Sequence, residues 1–219
     1  MCGRFTIFIP LDQLVKLFNI FDPPPLMPSY NVCPGQQIPA VRCMADINKL
    51  DYLHWGLIPS WAKDKSISHK LINARAETVM EKPSFRYAFH SHRCLIPANG
   101  FYEWLQLNGN KTPHYIRLKD DNPMMFAGLW EHWKSPEGEA VESCSIITTA
   151  SNTLLQSLHD RMPAILSQGE YAQWLSAETK PQDLVQMLRP FPSDLMEYYP
   201  VNSLVNSPRN NSPDLIKLA

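Results

Sequence analysis

Arg93–Leu107, RCLIPANGFYEWLQL, and Thr112–Trp133, TPHYIRLKDDNPMMFAGLWEHW, together read as a run of β-strands joined by turns. Aromatic and β-branched residues recur at short period, and turn formers gather at Asn108–Asn110 and Asp120–Pro123. Strand character extends outward from this block. Upstream, KLDYLHWGLIPSW (49–61) alternates until Pro59 breaks it, and YNVCPGQQIPAVRC (30–43) leads from a loop into a proline-flanked strand. Downstream, SCSIITTA (143–150) is a compact apolar strand and MEYYPVN (196–202) a late one. Helices enter singly. LDQLVKLFNI sets Leu11, Leu14, Val15 and Phe18 at helical spacing before Pro23–Pro25 ends the run. PSFRYAFHSH (83–92) predicts a helical turn or two, LLQSLHDRMP (154–163) a helical turn stopped by Pro163, and KPQDLVQML (180–188) a short helix. Ser167 and Glu170 of SQGEYAQWL have capping-box spacing. Strands with single inserted helices predict an α+β fold around an antiparallel or barrel-like sheet.

At 219 residues the chain suits one substantial core. We expect one domain over 1–205 and a polar, mobile tail over 206–219. Twenty prolines favour short strands and shaped loops over long helices. No apolar run approaches the length that crosses a bilayer, and the N-terminus lacks a basic start followed by an apolar stretch. A cytoplasmic location is therefore expected, near the nucleoid in a bacterium, or a nuclear one in a eukaryote. Cys2, Cys33, Cys43, Cys94 and Cys144 form no C-x-x-C pair, which argues against a disulfide framework and a structural zinc site. No metal or cofactor is expected. A net charge of −1 carries no global nucleic-acid signature. Between His54 and Leu95, however, seven basic residues face three acids, a local excess that either a solvated surface or a binding patch explains.

Four islands combine a reactive or charged group with a shape-setting neighbour: MCGRF, NARAET, IPANGFYEW and LHDRMP. Loss of Met1 would leave Cys2 with an α-amine of pKa about 7.7 to 8 beside a thiol near about 8.5. Such a 1,2-aminothiol can condense with an aldehyde to an imine and close a thiazolidine, or attack an amide carbonyl. A buried, inert cysteine is the plainer reading. On an extended segment Asn73, Arg75 and Glu77 would face one way. Glu103, between Tyr102 and Trp104, is either a desolvated general acid or an exposed residue alternating with inward aromatics. His159 could move protons, although a lone histidine is more often structural. No Gly-rich phosphate loop, HExxH or GxSxG is present.

MCGRF, NARAET, RCLIPANGFYEW, FAGLW with Glu131, SIITTA and HDRMP, in this order and spacing, resemble the SOS response-associated peptidase family from Cys2 to about Val201. The resemblance implies a single α+β domain on a twisted, barrel-like sheet. It also implies an enzyme that senses abasic sites in single-stranded DNA and caps them covalently through Cys2, with accompanying autopeptidase and abasic-site lyase activity. The implied catalytic residues are Cys2, Asn73, Glu103 and His159. Arg4, Arg75 and Arg161 would hold phosphates, while Trp61 and the segment with Asn31 and Pro34 would stack against or wedge apart flanking bases. The implied partner is single-stranded DNA with an abasic site, alone or at a junction with duplex. Nothing points to a membrane or a protein partner, and a monomer is expected. The rival is an N-terminal-nucleophile glutamine amidotransferase using Cys2, although NARAE and HDRMP have no part in that scheme.

Overall fold

The computed structural model describes residues 2–107 and 109–219; Met1, and Asn108 of the turn expected at Asn108–Asn110, lie outside the described residues. The chain runs through β1 (Phe5–Ile7), α1 (Leu11–Phe18), β2 (Ser29–Val32), β3 (Gln37–Met44), β4 (Ile47–Trp55), β5 (Asn73–Arg75) and α2 (Arg86–Ser91). It continues with β6 (Arg93–Ala98), β7 (Gly100–Leu107), β8 (Asn110–Leu118), β9 (Met124–Lys134) and β10 (Ala140–Ala150). β11 (Arg161–Pro163), β12 (Ile165–Leu166), α3 (Tyr171–Leu175), α4 (Pro181–Met187) and β13 (Met196–Pro200) follow.

Five strands close on themselves in the order β10–β4–β3–β6–β9 and back to β10. Closure removes the exposed edges that an open sheet would leave. Four of the five seams are antiparallel, as the strand pattern suggests. The fifth, β4 with β10, is parallel and short, pairing Ser143 with His54 and Cys144 with Trp55. A parallel seam needs a long crossover, which the chain between these strands supplies. A second sheet, β13–β8–β7–β1–β2, lies beside the barrel. Between them sit fully buried Phe5, Phe101 and Phe126, whose rings meet edge to face.

The helices are small and lie outside. α1 ends at Asn19 in the left-handed conformation (φ 52°) and buries Leu14 and Phe18. The Ser167–Glu170 capping box is formed, and α3 follows it to bury Trp174. AKDKSISHK, polar enough to read as a loop, holds a 3-10 helix over Lys65–Lys70, started by Asp64 accepting from Ser66 N–H.

Two expectations change. Pro163 does not stop a helix: Arg161–Pro163 is strand β11, antiparallel to β10 through Thr149↔Met162 and Ala150↔Arg161. The apolar spacing of LLQSL supports only a turn, and pairing with β10 overrides any helical preference beyond it. Nor does the polar stretch after 205 hang loose. Leu215 is buried, Leu218 bridges Val201, and Tyr30 N–H donates to Asn211 Oδ1 at 2.7 Å.

Candidate functional site

β1 and β7 bring MCGRF and IPANGFYEW together. Phe5 pairs with Phe101 and Thr6 with Gly100, and Tyr102 N–H donates to the Arg4 carbonyl, so the antiparallel run carries Cys2 past the start of β7 toward Glu103. A Cβ on Gly100 would collide with the Ile116 carbonyl oxygen and the Tyr115 ring. The glycine thus lets β8 close against β7 immediately before Glu103. β10 gathers the other two islands, NARAET and LHDRMP. β5 runs parallel to it, with Asn73 opposite Ile146 and Arg75 opposite Thr148, while β11 flanks it with Arg161 opposite Ala150.

Asn73 Nδ2 donates to the Cys2 carbonyl at 3.0 Å. Its Oδ1 is buried and has no hydrogen-bond partner among the described residues, so this side of the amide can accept. Cys2 is fully buried, and burial pushes its thiol well above the usual range, with the nearby Glu103 charge acting in the same direction. Glu103 is 6% exposed, which settles its alternatives: the carboxylate points inward. Burial raises its pKa from 4.5 to about 7, so it can give or take a proton near neutrality.

Glu103 and His159 line one open cleft of about 550 Å³ with Trp104, Gln106, Lys111, Leu158 and Asn206. Burial holds the His159 ring below the usual imidazole pKa, while Asp160 pulls the other way. Arg161 N–H donates to His159 Nδ1 at 2.9 Å, an arrangement that places the proton of the neutral ring on Nε2. Asp160 Oδ1 lies 2.8 Å from the same nitrogen but is mostly exposed. Its place within HDRMP was a signal available to sequence reasoning. Asn206, which accepts from Trp104 Nε1–H at 2.7 Å, carried none.

The expected DNA contacts divide. Arg75 is exposed at the end of β5. Glu77 lies past that strand, so the extended face expected for NARAE ends at Arg75. Glu77 instead turns to Arg161 and accepts from Nη1 at 2.6 Å and Nη2 at 2.9 Å. These bonds hold its carboxyl below the ordinary range. Arg161 Nη2 also donates to the Thr148 carbonyl at 2.5 Å. Trp61 and Pro34 are exposed. Asn31 is not: it is 2% exposed, and its Nδ2 faces the Val205, Ser207 and Asn210 carbonyls. Arg4 Nη1 donates to Asn31 Oδ1 at 2.7 Å and to the Val205 carbonyl at 2.8 Å. These two side chains fasten the C-terminal segment behind the cleft.

The family model described as SOS response associated peptidase (SRAP) matches residues 1–208. The abasic site processing protein YoqW of Bacillus subtilis (strain 168) is 50% identical over 222 residues, covering 99% of this chain and 99% of its own. The abasic site processing protein HMCES of Xenopus tropicalis is 32% identical over 260 residues, covering 98% of this chain and 77% of its own. A crystal structure of a protein from Bacteroides thetaiotaomicron superposes with a TM-score of 0.80 at 34% identity, covering 87% of this chain and 85% of that one.

Proposed function

The chain belongs to the SOS response-associated peptidase family, and from that premise we propose that it is an enzyme that processes abasic sites in DNA. In our reading it captures the lesion in single-stranded DNA as a thiazolidine on Cys2. The observation that carries this is the Asn73–Cys2 hydrogen bond, which leaves a buried acceptor oxygen beside the residue whose α-amine must react.

Cleavage of the bond between Met1 and Cys2 frees that amine. Glu103, half protonated near neutral pH, accepts the proton of the Cys2 thiol, which burial keeps un-ionised. The sulfur bonds to the Met1 carbonyl carbon, the proton passes to the departing Cys2 nitrogen, and water then hydrolyses the thioester, releasing methionine and restoring the thiol. The Glu103 carboxyl also moves the proton that opens the cyclic sugar to its aldehyde. Asn73 Oδ1 accepts from the freed amine and holds it against the carbonyl, making the attack effectively intramolecular. The amine adds to carbon, water leaves, and an imine remains; the amine's protons pass through Glu103 to the departing oxygen, which the Nε2–H of neutral His159 hydrogen-bonds. The thiol then adds across the imine. Its sulfur bonds to carbon and its proton ends on nitrogen, closing the five-membered ring. An imine left open invites β-elimination and strand cleavage, the lyase side reaction, and ring closure withdraws it. Arg75 and Arg161 border the strand at the end of β10 and neutralise phosphates. The protein acts as a monomer.

Intact-protein mass spectrometry after incubation with a single-stranded oligonucleotide bearing one abasic site tests this. We expect a protein beginning at Cys2 to gain the mass of the strand less one water, and Cys2→Ala to gain nothing. A chain confirmed to begin at Cys2 that forms no adduct would sink the proposal and direct attention to the glutaminase alternative.

A further inference from the structure

Trp61 is 58% exposed, yet the backbone around it is fixed at several points. Ile58 N–H donates to Ser143 Oγ at 2.8 Å, and Ala62 N–H closes a turn on the Pro59 carbonyl at 2.8 Å. The residues on either side of the tryptophan are held by one strand. Ser60 N–H donates to Glu131 Oε2 at 3.3 Å, and Trp133 Nε1–H donates to the Ala62 carbonyl at 2.8 Å. Glu131 and Trp133 stand two apart on β9, on the same side of the strand, and are 3% and 2% exposed. The other Glu131 oxygen is 3.0 Å from His92 Nδ1, and the His92 ring stacks on Trp130 with centroids 4.2 Å apart. The buried carboxylate is therefore aimed from a braced position.

We propose that Glu131 is a positioning residue which, with Trp133, mounts Trp61 as a rigid stacking platform for a DNA base next to the lesion. The inference rests on the reading of the chain as an abasic-site processor, and it gives FAGLWE a purpose that the chemistry at Cys2 does not. A tryptophan on a fixed backbone gives up little conformational freedom when a base stacks on it, so more of the stacking energy appears as affinity. Exposed Lys63, two residues on, supplies charge for the adjoining phosphate.

A double-mutant cycle tests this, read by fluorescence anisotropy with a labelled single-stranded oligonucleotide carrying a tetrahydrofuran abasic analogue, which cannot form an imine. Trp61→Ala should weaken binding about tenfold. Glu131→Ala should weaken it severalfold in the presence of Trp61 and not at all in the Trp61→Ala background. Glu131→Gln keeps an acceptor for Ser60 N–H and should bind close to the unsubstituted protein. Should Glu131→Ala fail to fold, Trp133→Phe removes the donor to Ala62 and should show the same dependence on Trp61. Equal losses in both backgrounds, no loss in either, a Glu131→Gln protein as weak as Glu131→Ala, or no binding by the unsubstituted protein would overturn the mount. Because the analogue cannot react, failure of the covalent assay leaves this measurement able to stand or fall separately.

Discussion

The floor of the site and its rim obey different physics. At the floor, Cys2 and Glu103 are buried, and desolvation is the largest cause of both pKa shifts. At the rim, Arg75 is exposed and Arg161 is engaged by a half-exposed carboxylate. A charge at the floor faces a low effective dielectric, so one group changes reactivity by orders of magnitude. A charge at the rim is screened, adding affinity in small, salt-dependent steps. Perturbing the floor should therefore alter rates more than binding, and perturbing the rim the reverse.

Glu103→Gln should break that contrast most visibly. Loss of the proton-transferring group should slow adduct formation by about a hundredfold or more, and the inflection near pH 7 in the rate profile should vanish. Stability should move the opposite way. The folded-state pKa lies above the ordinary 4.5, so the folded protein holds the proton more tightly than the unfolded chain between about pH 4.5 and 7. The unsubstituted protein should thus lose stability as pH rises through that window. A shift of this size corresponds to at most about 3 kcal/mol. Urea unfolding at pH 8 should show Glu103→Gln gaining up to that amount, and at pH 4 gaining little. A variant less stable at pH 8 would mean that the charged carboxylate is satisfied and the floor is not desolvated.

The same division governs what the sequence disclosed. α1 and the strands of Arg93–Trp133 were legible because their apolar character is local: α1 buries Leu14 and Phe18, β6 is buried along its whole length and β9 along most of its own. A barrel-like sheet was among the expectations, but which strands close it was not legible. Closure depends on two residue pairs between β4 and β10, distant in sequence, and β11 likewise exists because β10 is there to pair with it. The floor residues stood out as chemical types within short islands, but their convergence came from the family resemblance rather than from periodicity. At the rim, the contacts were not legible. The resemblance implied that Asn31 meets flanking bases, and its side chain fastens the C-terminal segment instead; Glu77, expected on one extended face with Asn73 and Arg75, reaches Arg161 across 84 positions of sequence.

Arg161→Ala sharpens the rim side. Removing one phosphate neutraliser should flatten the plot of log binding constant against log salt by about 0.7 for single-stranded DNA. At fixed salt, affinity should fall severalfold, while the single-turnover rate at saturating strand should change much less. An unchanged slope would show that the guanidinium keeps its protein partner in the complex. A rate loss larger than the affinity loss would move Arg161 to the floor, as the side chain whose bonds to Glu77 and Thr148 hold in place the backbone N–H that donates to His159.

The smallest and most discriminating effect is expected from Glu77→Gln. In the DNA-free protein the Glu77 carboxylate fills the Arg161 fork with two hydrogen bonds, the geometry a phosphate would use. Glu77 is half exposed, so the pair contributes little to stability and folding should be nearly unaffected. If phosphate and Glu77 compete for one fork, neutralising Glu77 should tighten single-strand binding by about two- to fivefold at low salt and steepen the salt dependence. The Arg161 hydrogen bonds hold Glu77 ionised to lower pH than an ordinary carboxylate, so acidification to pH 6 should not mimic the substitution. Weaker binding by Glu77→Gln would reverse the assignment, making the carboxylate the group that aims Arg161 at the strand. The rim would then share the preorganisation seen at the floor.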